Sequence, residues 1–89
     1  MKEIVIDGSA VRSVEDFHAL LKEELALPHW YGNNLDALFD VLTDFHEEVS
    51  LTLLRSEALC QTLGSIYPRL VRMLSDAAEE NPLFTFHLA

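Results

Sequence analysis

Apolar residues cluster or alternate over three short stretches of the chain, in the manner of buried or half-buried strands. The β-branched run Ile4-Val5-Ile6, closed by Asp7-Gly8, predicts a first strand. Alternation over residues 49–54 predicts a second strand, and residues 84–88 predict a third. Between these strands the apolar residues recur instead at helical spacing.

Two helices are predicted between the first and second strands. The first covers residues 14 to about 26, and Ser13 can cap its N-terminus. The second follows a loop at residues 28–32, and either Asn33 or Asn34 can cap it.

Two more helices are predicted before the third strand. A short helix covers residues 57–63, with Ser56 as its expected cap, and a longer one runs from Ile66 to about Glu80. The order is then β-α-α-β-α-α-β, and strands joined through helices favour a parallel sheet with right-handed crossovers. We therefore predict an α/β fold with three parallel strands packed against helices, and residues 1–89 as a single domain.

The second predicted helix separates an apolar face from an acidic face. At about 100° per residue, its core-facing side chains are Leu35, Leu38, Val41, Leu42 and Phe45. On another face Asp36, Asp40 and Asp44 follow one another at four-residue spacing, and Phe39 and Thr43 lie on the border. Like charges at this spacing repel by about 0.2–0.5 kcal/mol per pair. A helix that accepts this repulsion is expected to hold its carboxylates for a partner, and Phe39 is expected to be partly exposed.

The chain is strongly acidic, with six basic and fifteen acidic residues and a formal net charge of −9. Seven of the acids lie between Lys22 and Arg55, where there is no Lys or Arg. Arg55, Arg69 and Arg72 follow that stretch, so the most negative surface is expected around the second helix. Phosphate binding needs Lys and Arg, so nucleic acid is not predicted as a partner. A basic protein partner and solubility alone both account for the charge.

The single cysteine, Cys60, cannot form an internal disulfide, and it is expected to fill a helix face rather than to react. No apolar run approaches the roughly 18 residues of a membrane span. The N-terminal residues lack a signal-peptide pattern. These features predict a reduced, cytoplasmic protein with no membrane partner.

The loop before the second helix places Trp30 and Tyr31 beside Gly32, in a segment too short and polar to bury both rings easily. Aromatic rings beside charge are a common composition of interface anchors. On the residues alone two interpretations stay open. The acidic helix face is either solvated or binds a partner, and each ring either packs on the first helix or contacts that partner.

The run Leu25-Ala26-Leu27-Pro28, followed by Tyr31-Gly32-x-Asn34-Leu35-Asp36-Ala37-Leu38-x-Asp40, resembles the barstar family of intracellular inhibitors of barnase-type ribonucleases. The resemblance extends over nearly the whole chain in length, order of elements and position of the acidic helix. It implies that this helix and the preceding loop block the active site of a basic ribonuclease in a one-to-one complex. The carboxylates would replace RNA phosphates, and no cofactor is implied.

The resemblance assigns ten residues to partner binding: Trp30, Gly32, Asn34, Asp36, Phe39, Asp40, Thr43, Asp44, Phe45 and Asp76. Trp30 matches a loop aromatic that stacks on the nuclease, and Asp40 matches the dominant anchor of the family. Phe39 stands where the best-known member has tryptophan. Asp44 and Phe45 replace a Gly-Trp pair and add a charge to the contact region. Asp76 replaces a glutamate and reaches one methylene less far.

Three other functions compete with inhibition. Catalysis or metal binding would need ligands or bases among His18, His29, His46 and His87, but no HxxxH or CxxC spacing exists. We therefore predict no catalytic residue and no metal site, and we expect His18 at the surface or a helix boundary. A carrier protein would need a serine within Asp36-Ala37-Leu38. An immunity-like or regulatory acidic module whose target is not a ribonuclease is the alternative function.

Overall fold

A computed structural model describes residues 2–27 and 34–89 of the chain. Within these ranges three strands form one sheet: β1 (Lys2–Asp7), β2 (Val49–Leu54) and β3 (Phe84–Leu88). Four α-helices connect them: α1 (Val14–Leu25), α2 (Leu35–Thr43), α3 (Ser56–Leu63) and α4 (Ile66–Glu80). The predicted α/β class and the order β-α-α-β-α-α-β are confirmed. Of the helices described, none has the length and apolar character needed to cross a membrane.

The sheet is parallel throughout, with the strands in the order β1-β2-β3. Crossovers between parallel neighbours are right-handed in nearly all proteins, and two such crossovers in the order β1-β2-β3 place both pairs of helices on the same face of the sheet. Alternate residues of β2, from Val49 to Leu53, are buried on that face, and the residues between them are half-buried. The opposite face is more open, and Val5 there is 59% exposed.

The core lies between the covered face of the sheet and the four helices. The buried residues that the helices contribute are Phe17, Leu21, Leu38, Leu42, Leu59, Leu63, Leu70, Leu74 and Ala77. On α2, Leu38 and Leu42 are fully buried, while Leu35, Val41 and, just beyond the helix, Phe45 pack partly against the core. Burying a leucine stabilises a fold by roughly 1.5–3 kcal/mol. The apolar stripe therefore holds α2 against the core and leaves its acidic face exposed.

The predicted cap of α3 was wrong. Ser56 lies inside the helix, and Arg55 occupies the N-cap position in a left-handed conformation, with φ 51° and ψ 51° and no side-chain cap bond. Its guanidinium Nη1 instead donates to Asp7 Oδ2 at 2.7 Å, which joins the ends of β2 and β1. Hydrogen bonds from Ser9 to the Asp7 carboxylate, supported by Arg55, lower the pKa of Asp7.

Two further expectations were wrong. His18 is buried on α1, with 1% of its surface exposed, and its ring lies edge-on to Phe17 with centroids 6.1 Å apart. Burial lowers the pKa of His18, and the Glu15 carboxylate acts in the opposite direction. Cys60 is exposed rather than packed, because Leu59 and its apolar neighbours supply the buried face of α3.

Candidate functional site

Asn34 begins the acidic helix by capping it. Its backbone is extended, with φ −135° and ψ 165°, and its Oδ1 accepts a hydrogen bond from Ala37 N–H at 2.8 Å. This bond satisfies one of the amide donors that a helix start leaves unpaired. Asp36 in the first turn lies where the helix dipole favours negative charge. Asn34, one of the two predicted caps, thus serves the fold directly.

The three aspartates of α2 are exposed to solvent. Successive residues among Asp36, Asp40 and Asp44 stand about 6 Å apart along the helix axis. None of their carboxylates forms a hydrogen bond or a salt bridge with a residue in the described ranges. Asp44 is also the C-cap, where the helix dipole disfavours a negative charge by about 0.3–1 kcal/mol. The face therefore carries negative charge that the described part of the fold does not neutralise.

The residues on the border of the acidic face are half-buried, as predicted for Phe39. Thr43 Oγ1 donates to the Phe39 carbonyl at 2.9 Å and also approaches the Asp40 carbonyl at 3.2 Å. Its hydroxyl proton is thus used within the helix, and a partner would meet Thr43 as an acceptor. Phe45, beyond the end of α2, packs partly on the core.

A groove of about 350 Å³ separates α2 from α4. It is lined by Leu35, Asp36, Phe39, Arg69, Arg72, Met73 and Asp76. The structure thus brings Asp76 of α4 to the same groove as Asp36 and Phe39. Arg69 and Arg72 were not among the predicted site residues, because the sequence identified them only as basic residues that follow the acidic stretch. Their spacing of three residues, next to the apolar stripe of α4, is the signal that could have placed them here.

An adjoining cavity of about 370 Å³ extends the groove toward α1. It is lined by Val14, His18, Asn34, Leu35, Asp36, Ile66 and Arg69. Leu35, Asp36 and Arg69 border both cavities, so they lie at the centre of the combined depression. The first turn of α2 is therefore the place where three helices meet the candidate site.

Asn81 holds the opposite end of α2. It is a buried polar residue, with 6% of its surface exposed. Its Nδ2 donates to the carbonyls of Leu42 at 3.0 Å and Phe45 at 3.3 Å, and its Oδ1 accepts from Leu83 N–H at 3.0 Å. The last carbonyls of a helix have no helical partner, so Asn81 supplies one. Sequence reasoning missed this role, since Asn81-Pro82 indicated only where α4 ends.

Eight of the ten predicted site residues lie in the described ranges, and Asp36, Phe39 and Asp76 among them line one groove. The predictions for Trp30 and Gly32 fall on residues 28–33, outside those ranges. Across residues 2–27 and 34–89, no three His, Cys, Asp or Glu side chains are grouped as metal ligands would be. The carboxylates instead form a row beside an aromatic ring, which is an arrangement suited to cations of another protein.

Comparison with known proteins identifies the family. The model of the family described as "Barstar (barnase inhibitor)" matches residues 1–89. A protein of Bacillus subtilis (strain 168), named "Putative ribonuclease inhibitor YrdF", is 37% identical over 81 residues, which cover 90% of this chain and 89% of that relative. The family match includes α2, α4 and the groove between them. The chain therefore belongs to the barstar family, whose members are inhibitors rather than enzymes.

Proposed function

We propose that this protein inhibits a basic ribonuclease by occupying its active site in a one-to-one complex. The observation that carries the proposal is the row of exposed carboxylates on α2, which form no bond within the described fold. A ribonuclease must hold RNA phosphates with Arg, Lys and His side chains. Carboxylates at about 5–6 Å spacing on a helix can meet several of those cations at once. The acidic helix then stands in for the RNA backbone.

Each of the proposed contact residues has a role that follows from its position. Asp40, at the middle of the row, is the proposed anchor, while Asp36 and Asp76 approach the partner from two helices. Phe39 supplies apolar contact beside these charges, and half-burial of its ring supports that role because little ordering is needed on binding. Asn34, Thr43, Asp44 and Phe45 extend the contact along α2, and Trp30 and Gly32 extend it into the preceding loop.

Charge also speeds the encounter. A basic enzyme and an acidic inhibitor attract each other before contact, which raises the association rate. Fast association matters to a cell that makes the nuclease, since any free enzyme in the cytoplasm would cut the RNA of that cell. We infer that the protein acts there as the immunity partner of a ribonuclease toxin.

The test is a stoichiometric titration of RNA cleavage by barnase. With barnase well above the dissociation constant, activity should fall linearly and reach zero at one equivalent of the protein. The protein alone, incubated with the same RNA, is the control for cleavage by the inhibitor preparation. Undiminished cleavage by barnase, by other barnase-type nucleases and by the native partner, at a large excess of the protein, would contradict the proposed function.

A further inference from the structure

Arg69 and Arg72 are two cations on an otherwise acidic surface. Both are exposed on α4, and both line the groove that Asp36 and Asp76 also line. Residues three apart on a helix are neighbours on its surface. Two of the six basic residues of the chain are therefore concentrated at the rim of the proposed inhibitory surface.

Neither arginine is used by the described part of the fold. The guanidinium groups of Arg69 and Arg72 form no salt bridge or hydrogen bond with residues 2–27 or 34–89. The order of charges on α4 helps to explain why Arg72 forms no salt bridge with Asp76. An arginine four residues before an acid attracts it more weakly on a helix than the reverse order does. Arg55, by contrast, is paired with Asp7 at 2.7 Å. The two groove arginines are thus available to a partner.

The chemistry of the groove suits a carboxylate. Between its charges the lining is apolar, from Leu35, Phe39 and Met73. An arginine beside apolar surface presents a weakly hydrated planar fork that holds a carboxylate through two hydrogen bonds. Facing a purely basic surface, the same arginines would be repelled.

We propose that Arg69 and Arg72 bind an acidic side chain of the target ribonuclease in the groove between α2 and α4, and that this contact selects which ribonucleases are inhibited. The inference rests on the proposed function. The target then presents cations opposite Asp36 and Asp40 and a carboxylate opposite the arginines of α4. A nuclease with cations at both places is rejected, since specificity comes from repulsion of wrong partners as well as attraction of the right one.

The competing interpretation is that the two arginines only screen the aspartates of α2 from one another. The two interpretations differ in the sign of one measurement. If the arginines screen, removing one makes the surface more negative and strengthens binding to a basic enzyme. If they pair with a partner carboxylate, removing one weakens binding.

The experiment measures association and dissociation rates with barnase for Arg69→Ala and Arg72→Ala. Arg12→Ala is the matched control, because Arg12 is exposed, carries the same charge and does not line the groove. Relative to that control we expect each groove variant to dissociate about tenfold faster, with association no slower. Arg72→Lys keeps the charge but loses the fork, so its dissociation rate should fall between those of the wild type and Arg72→Ala.

The outcomes separate the inference from the proposed function. Groove variants that bind as tightly as Arg12→Ala, or more tightly, overturn the inference, while binding of the wild-type protein still supports inhibition. A wild-type protein that binds neither barnase nor any other barnase-type ribonuclease overturns the proposed function and the inference with it. Urea unfolding of every variant establishes that each compared protein is folded.

Discussion

The side-chain amide of Asn81 donates a hydrogen bond to the carbonyl of Leu42 at 3.0 Å, and thereby joins the end of α4 to the end of α2. Asn34 fixes the other end of α2 by accepting from Ala37 N–H. The nine-residue helix that carries the acidic row is thus held at both termini by asparagine side chains. This matters for recognition, because a short helix frays readily and would otherwise scatter its carboxylates.

Replacing Asn81 should destabilise the protein. Asn81→Ala leaves the carbonyl of Leu42 and the N–H of Leu83 without their partner, which we expect to lower the free energy of unfolding by about 1–3 kcal/mol. Urea unfolding followed by circular dichroism measures the change. Ser75→Ala, at an exposed position of the same helix, is the control and should stay within about 0.5 kcal/mol of the wild type. Equal stabilities of the two variants would show that the Asn81 bonds give no net stabilisation.

His18 should make stability depend on pH near neutrality. Burial lowers its pKa in the folded protein below the ordinary value of about 6.5, so the unfolded chain binds a proton more readily than the folded one. Above the pKa of the unfolded chain, His18 makes its full contribution to the free energy of unfolding. That contribution is lost as pH falls through about 6.5 toward the pKa of the folded protein. Urea melts should therefore give a smaller free energy of unfolding at pH 5.5 than at pH 8.

A matched pair of variants isolates the buried ring from the other titrating groups. His87→Gln alters an exposed histidine on β3 and serves as the control variant. His18→Gln should be less stable at pH 8 but should show a shallower slope between the two pH values. Identical slopes in His18→Gln and His87→Gln would contradict the assignment to His18.

Asp40→Ala should separate binding from folding. The side chain is exposed and forms no bond with the described residues, and its removal relieves repulsion of about 0.2–0.5 kcal/mol from each of Asp36 and Asp44. Stability should thus be unchanged or slightly higher. Binding to barnase should weaken by at least about 2 kcal/mol, near thirtyfold, because a hot-spot anchor is lost. The complex of barstar with barnase is itself one of the interfaces from which that hot-spot range comes.

Two controls bracket this result. Glu57→Ala removes an exposed acid from α3, away from the groove, and should leave affinity nearly unchanged. Leu38→Ala truncates a fully buried side chain of α2 and should cost about 2–5 kcal/mol of stability. Calorimetric titration that finds Asp40→Ala as tight as Glu57→Ala would mean that α2 is not the inhibitory surface.

Salt should slow association much more than it speeds dissociation. The Debye length is about 10 Å at 0.1 M ionic strength, so added salt weakens attraction between separated proteins more than contacts already made. Stopped-flow mixing with barnase from low to physiological ionic strength gives both rates. Asp44→Asn should have a shallower salt dependence of association than Glu57→Gln, since Asp44 lies on the acidic row. An association rate that does not respond to salt would assign the charge to solubility alone.

The fold was accessible from the sequence because its signals are local. Alternation over β2 and the apolar stripe of α2 each report burial through periodicity alone, and the parallel order follows from the helical connections. The failure at the cap of α3 involves a contact distant in the chain. Ser56 was the expected N-cap of α3, but Arg55, which pairs with Asp7, occupies that position. His18 is buried because of how α1 packs in the fold, which no spacing in the sequence indicates.

The candidate site divides in the same way. Asp36, Asp40 and Phe39 could be predicted because one helix carries them at readable spacing. The approach of Asp76 to this row was suggested only by the family resemblance, since it depends on how α4 packs against α2. The position of the two arginines in the groove and the bond from Asn81 to Leu42 were missed, because both depend on how α4 packs beside α2.

Asn34 contributes to folding and Asp40 does not, and this difference affects which positions of the protein can change in evolution. Asn34 is a proposed contact that also caps its helix, so a mutation there changes target choice and folding together, and selection on either restrains the other. Asp40, Asp76 and the groove arginines carry no bond that the described fold depends on, so mutations there can be sampled with little loss of stability. A lineage that must follow a changing nuclease is expected to vary Asp76 and the two groove arginines first, and to keep the anchor Asp40 and the asparagine at position 34.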